Sequence, residues 1–275
     1  MKTRVLTAIV MVAVMIPFFI FSDTIAFPLL ISILAAVGVY EMQNCIGSKK
    51  QYTVSIPSII MAAGMPFLVR CQPSGILGYV FLISFVLITY TYTVSVFSKH
   101  RFAVDTAALS ASTAVYISFG FSSVILLRDL SHGQYIYFLA FIIPWVTDTF
   151  AYFCGRAFGK HKLIPDVSPK KTVEGSIGGT LSAIGITLLY GFVLGHFTEA
   201  VPNYIGLAVT AAVVSLLSQC GDLIMSLIKR KFEIKDYGKL FPGHGGVLDR
   251  FDSIICTAPF IYFLTEFVPA LALFS

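Results

Sequence analysis

Nine predominantly apolar runs, most of them near the length a helix needs to cross a hydrocarbon layer, occupy most of this 275-residue chain. They fall at Val5 to Phe21, Phe27 to Met42, Tyr52 to Val69, Ile76 to Phe97, Thr106 to Leu127, Tyr135 to Phe153, Ser176 to His196, Tyr204 to Ile228 and Ser253 to Leu273, the second being the shortest. In lipid every backbone N–H and C=O needs a partner within the protein, so such runs read as helices. Charged residues make up only 12% of the chain and hydrophobic ones 57%, which excludes an ordinary soluble domain. The expected fold is all-α: a polytopic integral membrane protein of about nine transmembrane helices. No length remains for a separate soluble domain, so 1–275 reads as a single membrane-embedded unit, with generic spans over 1–134 and chemistry-bearing spans and loops over 135–275.

Met1 to Arg4 followed by Val5 to Phe21 resembles the start of a signal peptide. The apolar part is longer than a signal peptide's and no A-x-A cleavage pattern follows, so a retained first span is expected. Cys45, Cys71, Cys154, Cys220 and Cys256 are scattered without C-x-x-C pairing and read as packing residues rather than a disulfide framework or zinc site. The glycine spacings Gly155/Gly159, Gly175/Gly179 and Gly191/Gly195 predict close helix contact.

Loop charge sets the expected orientation, since lysine and arginine accumulate in cytoplasmic loops. With the N-terminus inside, the inner loops carry Lys2, Arg4, Lys49, Lys50, Lys99, Arg101 and the eleven basic residues of two windows, Arg156 to Lys171 and Lys229 to Arg250. The outer loops then carry only Arg70 and Arg128, a division of seventeen against two. The N-terminus is therefore expected in the cytoplasm, with both windows where nucleotides are available. No arginine-rich, aromatic-interleaved surface suggests a nucleic-acid partner; the net charge of +5 reads as facing small-ligand phosphates or lipid headgroups.

The stretch Ser226 to Asp252, SLIKRKFEIKDYGKLFPGHGGVLDRFD, departs most from its apolar surroundings. It combines lysines and arginines with acids, and with Gly243, Gly245 and Gly246 around His244. Cations beside pliable backbone and carboxylates able to hold Mg²⁺ suit a polyphosphate better than a neutral ligand. On a helix, Asp222, Ser226, Lys229 and Arg230 share one face. A snorkelling Lys229–Arg230 pair with Asp222 as counter-ion explains that stripe alone equally well. Asp249 and Asp252, with Arg250 between them, and the intramembrane Asp148 add acids that a counter-ion role does not require. Lys170, Lys171 and Thr172 precede the start of the seventh span, where a helix N-terminus suits phosphate; topology signalling by loop lysines is the alternative. His244 contacts ligand or ties its loop together. Ser226 and Lys229 formally match a Ser/Lys acylation pair, but its companion elements are missing.

Three groups of residues together carry a family resemblance. They are Ser226, Lys229 and Arg230; Lys235 and Asp236; and the run PGHGGVLDRFD from Pro242 to Asp252. In that order and spacing they resemble the signature of the phosphatidate cytidylyltransferase, or CDP-diacylglycerol synthase, family. Gly221 to Leu223, Asp148 to Tyr152, Gly155 with Arg156, Ser168 to Thr172, and Glu174 with Gly175 are also similar, so the likeness covers about the second half of the chain; Val173 stands where many members have an aromatic residue. The resemblance implies that CTP and phosphatidic acid combine to CDP-diacylglycerol and pyrophosphate, with Mg²⁺ and room for a second cation, on the cytoplasmic side of a cell membrane.

On that footing Asp222 and Asp249 are expected to coordinate metal, with Asp148 as a further contributor. Asp249, Asp222, Lys229 and Arg250 are the expected catalytic group. Lys229, Arg230, Lys235 and Arg250 would hold the CTP phosphates, and Lys170 and Lys171 phosphate from either substrate. Ser226 joins the substrate-binding set, and His244, Gly245 and Gly246 would shape the pocket. Membrane lipids would surround acyl chains entering between spans, and a homodimer is compatible with this picture. A CTP-dependent polyprenol kinase and a transporter using Asp148 and Asp222 are the competing readings; the latter leaves Pro242 to Asp252 unexplained.

Overall fold

The structure, a computed structural model, describes residues 13, 15–71, 75–98 and 102–274. Its helices are α1 (Ala26–Ile46), α2 (Tyr52–Arg70), α3 (Ile76–Phe97), α4 (Val104–Asp129), α5 (Gly133–Ile136), α6 (Leu139–Phe158), α7 (Val173–Phe197), α8 (Tyr204–Lys231) and α9 (Leu248–Phe267). Two short strands, β1 (Lys162–Ile164) and β2 (Ser168–Thr172), form an antiparallel hairpin between α6 and α7. Sequence reading treated that segment as a loop.

Among the described residues seven segments are long and apolar enough to cross a membrane: α1, α2, α3, α4, α5 with α6, α7 and α8. Of the other two expected spans, Val5 to Phe21 lies mostly outside the described residues, as do Lys2, Arg4, Lys99 and Arg101. Ser253 to Leu273 is largely α9, a 20-residue helix followed by the 3-10 turn Pro269–Leu271. Asp249, Arg250 and Asp252 stand near the start of α9 and Glu266 near its end. The shortest expected span, Phe27 to Met42, proves to be a 21-residue helix that stops where Gly47 takes φ 81°.

The chain divides into two compact units, 1–125 with 231–251, and 126–230 with 252–275. In the first unit, α1 turns Phe27, Ile31, Ala35, Val39 and Met42 inward at helical spacing, while Leu29, Ile33 and Tyr40 are exposed. α1 packs along α2, and α2 along α3. Helices have little hydrophobic reason to associate in lipid, so close packing and hydrogen bonds matter more. Buried Gln43 illustrates this: its Oε1 accepts hydrogen bonds from the hydroxyls of Ser110 on α4, at 2.7 Å, and Ser48.

In the second unit, α6 and α7 pack along one another over much of their length. The predicted small-residue contact is realised there: a Cβ on Gly179 would lie 2.6 Å from the Thr147 carbonyl oxygen and 3.0 Å from the Ala151 Cβ. Hydroxyls bind the layer further, with Thr147 donating to Ser215 at 2.9 Å and Ser215 to Thr180 at 3.0 Å, linking α6, α8 and α7. Thr172 starts α7 by accepting the Gly175 N–H at 3.1 Å, a regular N-cap.

Candidate active site

The expected site residues are distributed over both units. In the first unit the chain leaves α8 into a glycine-containing loop and re-enters helix at α9. Phe241 N–H donates to the Gly245 carbonyl at 2.9 Å and His244 N–H to the Phe241 carbonyl at 2.8 Å, closing a tight turn. Gly243 and Gly245 hold φ of 78° and 86°, a region that admits glycine without strain. This turn and the segment before it line a cavity of about 710 Å³, with Lys235, Lys239, His244, Gly245 and Arg250 in its wall. Three cations against one acid, Asp236, and the Nδ1 of His244, buried with no hydrogen-bond partner among the described residues, make its chemistry suited to an anion. Arg250 Nε donates to the His244 carbonyl at 2.7 Å, which ties that guanidinium to the turn.

Two carboxylates hold this loop in place. Asp249 Oδ2 accepts the backbone N–H of Tyr237 at 2.8 Å and of Gly246 at 2.9 Å. Glu41, on α1 and only 5% exposed, accepts the N–H of Val247 at 3.1 Å through Oε1 and of Leu248 at 3.0 Å through Oε2. The N–H groups of three consecutive residues entering α9 are thus bound by side-chain acids, where a helix has free donors and a positive dipole end. Sequence reading singled out Asp249 but not Glu41. An acid inside an apolar run was the available signal, the same one that marked Asp148 and Asp222.

The second unit carries Asp148 on α6, Lys170 and Lys171 on β2, and Asp222, Ser226, Lys229 and Arg230 on α8. The expected helical stripe on α8 is present as continuous helix. Asp222 forms an ion pair with Lys171 at 2.6 Å, a partner outside its own helix. Lys171 also donates to the Gln219 carbonyl at 3.4 Å, and Arg230 Nε to the Val167 carbonyl at 3.5 Å. Asp148 lies within electrostatic range of Lys171 and Asp222, and Asp252 within range of Asp222, Asp148 and Lys229. A smaller cavity of about 220 Å³ opens beside them, with Asp148, Tyr152, Lys170, Lys171 and Gln219 among its walls. The hairpin is clasped by Glu174, which pairs with His161 at 2.6 Å and accepts the Lys160 N–H at 3.1 Å.

Among the described residues no three acid, histidine or cysteine side chains are drawn into coordinating geometry. The donor chemistry of Asp148, Asp222 and Asp252 is nevertheless that of a hard-cation site: three carboxylates from three helices, mutually within electrostatic range. Within the first unit, one oxygen of Asp249 accepts two loop N–H groups.

Comparison with known proteins bears on the same residues. Residues 2–268 match the cytidylyltransferase family. The chain belongs to this family. It is 36% identical to a phosphatidate cytidylyltransferase of Bacillus subtilis (strain 168), covering 100% of this chain and 99% of the relative. Proteins of the same description from Staphylococcus haemolyticus (strain JCSC1435) and Staphylococcus saprophyticus are 35% and 37% identical, each covering 96% of this chain and 98% of its own length. Family membership therefore extends through the N-terminal helices, including α1 with Glu41, beyond the second half in which sequence motifs were recognised.

Proposed function

We infer that this chain is a phosphatidate cytidylyltransferase, an integral membrane enzyme that transfers CMP from CTP to phosphatidic acid, giving CDP-diacylglycerol and pyrophosphate. The observation that carries this reading is likeness over the whole chain to enzymes of that description, with the lysine- and glycine-bearing loop included.

A phosphate oxygen of phosphatidic acid attacks the α-phosphorus of CTP; the new O–P bond forms as the bond to the β-phosphate oxygen breaks, and pyrophosphate leaves. Such a displacement needs positioning and charge neutralisation rather than a protein nucleophile. Lys235 and Arg250, in the wall of the 710 Å³ cavity, are assigned to the CTP phosphates, with His244 and the glycine turn shaping the pocket. Lys229 and Arg230 are assigned to substrate phosphate, Lys170 and Lys171 to phosphate of either substrate, and Ser226 to the polar wall on α8. Asp222 and Asp148, joined by Asp252, are the proposed holders of Mg²⁺, which supplies charge neutralisation on the triphosphate oxygens when bound. Asp249 is assigned to the architecture of the loop. Acyl chains remain in the bilayer, since each methylene withdrawn from it forfeits about 0.8 kcal/mol. The surplus of lysine and arginine in the windows supports a cytoplasmic active site.

The test is Mg²⁺-dependent pyrophosphate release by purified protein given CTP and phosphatidic acid, with polyprenol and CTP in parallel. CMP incorporated into phosphatidic acid is the expected result. Transfer of only the γ-phosphate to polyprenol, or no pyrophosphate with either lipid, would overturn it.

A further inference from the structure

The carboxylate of Glu41 is placed unlike any other acid in its unit. It is buried on a membrane helix, yet its hydrogen bonds go to the backbone of residues 206 and 207 positions later in the chain. Two glycines make room for it: a Cβ on Gly238 would lie 2.1 Å from Glu41 Oε1, and one on Gly246 2.2 Å from the same atom. Glu41 therefore touches the chain at Gly238 and at Gly246 to Leu248, two points between Lys235 and Arg250 that bracket Lys239 and His244. An uncompensated buried carboxylate is costly, and these backbone donors at a helix start are what make its burial tolerable.

We propose that Glu41 is a positioning residue of the cytidylyl-transfer reaction: it fixes the Gly238–Leu248 loop against α1 so that Lys235 and Arg250, on either side of that loop, meet the CTP phosphates in one geometry. This rests on the assignment of Lys235 and Arg250 to CTP. Glu41 touches neither substrate. Its effect reaches CTP through Gly246, Val247 and Leu248, whose displacement shifts Arg250 and the His244 turn together. Glutamine at 41 offers one acceptor and an NH₂ group that opposes a backbone N–H, so one end of the clasp is lost while side-chain volume is kept.

The experiment uses the full-length protein and compares Glu41→Gln, Glu41→Asp, Glu41→Ala, Gly246→Ala, the double variant Glu41→Ala with Gly246→Ala, and Lys235→Ala. KM and kcat are measured for CTP and phosphatidic acid separately, with thermal midpoints for each variant. The expected result is a kcat/KM for CTP lower by about ten-fold or more in Glu41→Gln and Gly246→Ala. The KM for phosphatidic acid should stay within about two-fold, and Glu41→Asp should recover part of the loss. The double variant should be less impaired than the product of its Glu41→Ala and Gly246→Ala effects, because removing the carboxylate vacates the space a methyl group at 246 would enter. CTP kinetics at wild-type level in Glu41→Gln, or equal losses for both substrates that follow the thermal midpoint, would overturn the proposal. Should Glu41→Gln fail to fold, the Gly246→Ala and Glu41→Asp kinetics decide by the same criteria. If Lys235→Ala leaves KM for CTP unchanged, the placement of CTP on this loop fails, an outcome separate from the role of Glu41.

Discussion

The ammonium of Lys171 lies 2.6 Å from the carboxylate of Asp222, joining the hairpin to α8. Both side chains are about a quarter exposed, at 23% and 28%, so the pair is partly screened and exchangeable rather than a fixed buried bridge. In the proposed site, Lys171 would leave Asp222 for a phosphate and free the acid for Mg²⁺.

Lys171→Gln should therefore lower turnover while making Asp222 a better cation ligand. Pyrophosphate release measured against Mg²⁺ concentration should show a half-saturating value reduced by a few-fold, with maximal rate down about ten-fold. An unchanged Mg²⁺ curve would separate Lys171 from the cation site.

The two acids first expected to share a metal should separate in their effects. Asp222→Asn should reduce kcat by about 100-fold or more with little change in thermal midpoint, as loss of a cation ligand does. Asp249→Ala leaves the Tyr237 and Gly246 N–H groups without their acceptor, each worth about 1–3 kcal/mol when buried. Thermal inactivation and CTP kinetics should both worsen for Asp249→Ala, and a stable variant with normal KM for CTP would refute its architectural role.

Gly179 should resist any side chain. A methyl group there meets the Thr147 carbonyl at 2.6 Å, so Gly179→Ala should destabilise the second unit by about 1–3 kcal/mol. Thermal inactivation in detergent reads this directly, and Gly185→Ala, whose Cβ meets nothing within 4 Å, is the matched control.

Orientation is open to chemical labelling. With cysteine kept only at exposed Cys71, a membrane-impermeant maleimide should label intact cells. With cysteine only at position 239, after Lys239→Cys, labelling should require permeabilisation. The reverse pattern would invert the topology inferred from the loop charges.

The spans were legible because apolar length is a one-dimensional property, and the glycine loop because its cations and glycines are consecutive. What stayed hidden depends on distant partners. Gln43 reads as one polar residue in an apolar helix until Ser110, 67 residues on, is found against it. The hairpin strands, three and five residues long, are too short for alternation to register. Asp222 showed its helical neighbours but not Lys171, and Glu41 lay in a half that looked generic because nothing near it in sequence explains it. At α9 the helix begins at Leu248, ahead of the apolar run that starts at Ser253, because its first turn carries Asp249 and Arg250, which bind the preceding loop.

The clasp between α1 and α9 has a consequence for how the protein is made. Glu41 enters the membrane early in synthesis, roughly two hundred residues before Val247 and Leu248 exist to receive it. Until then it is an uncompensated acid in a nascent span, and only arrival of the last helix neutralises that liability. A fragment beginning at residue 135 would carry every lysine and arginine assigned to the nucleotide and still lack the anchor for its own loop.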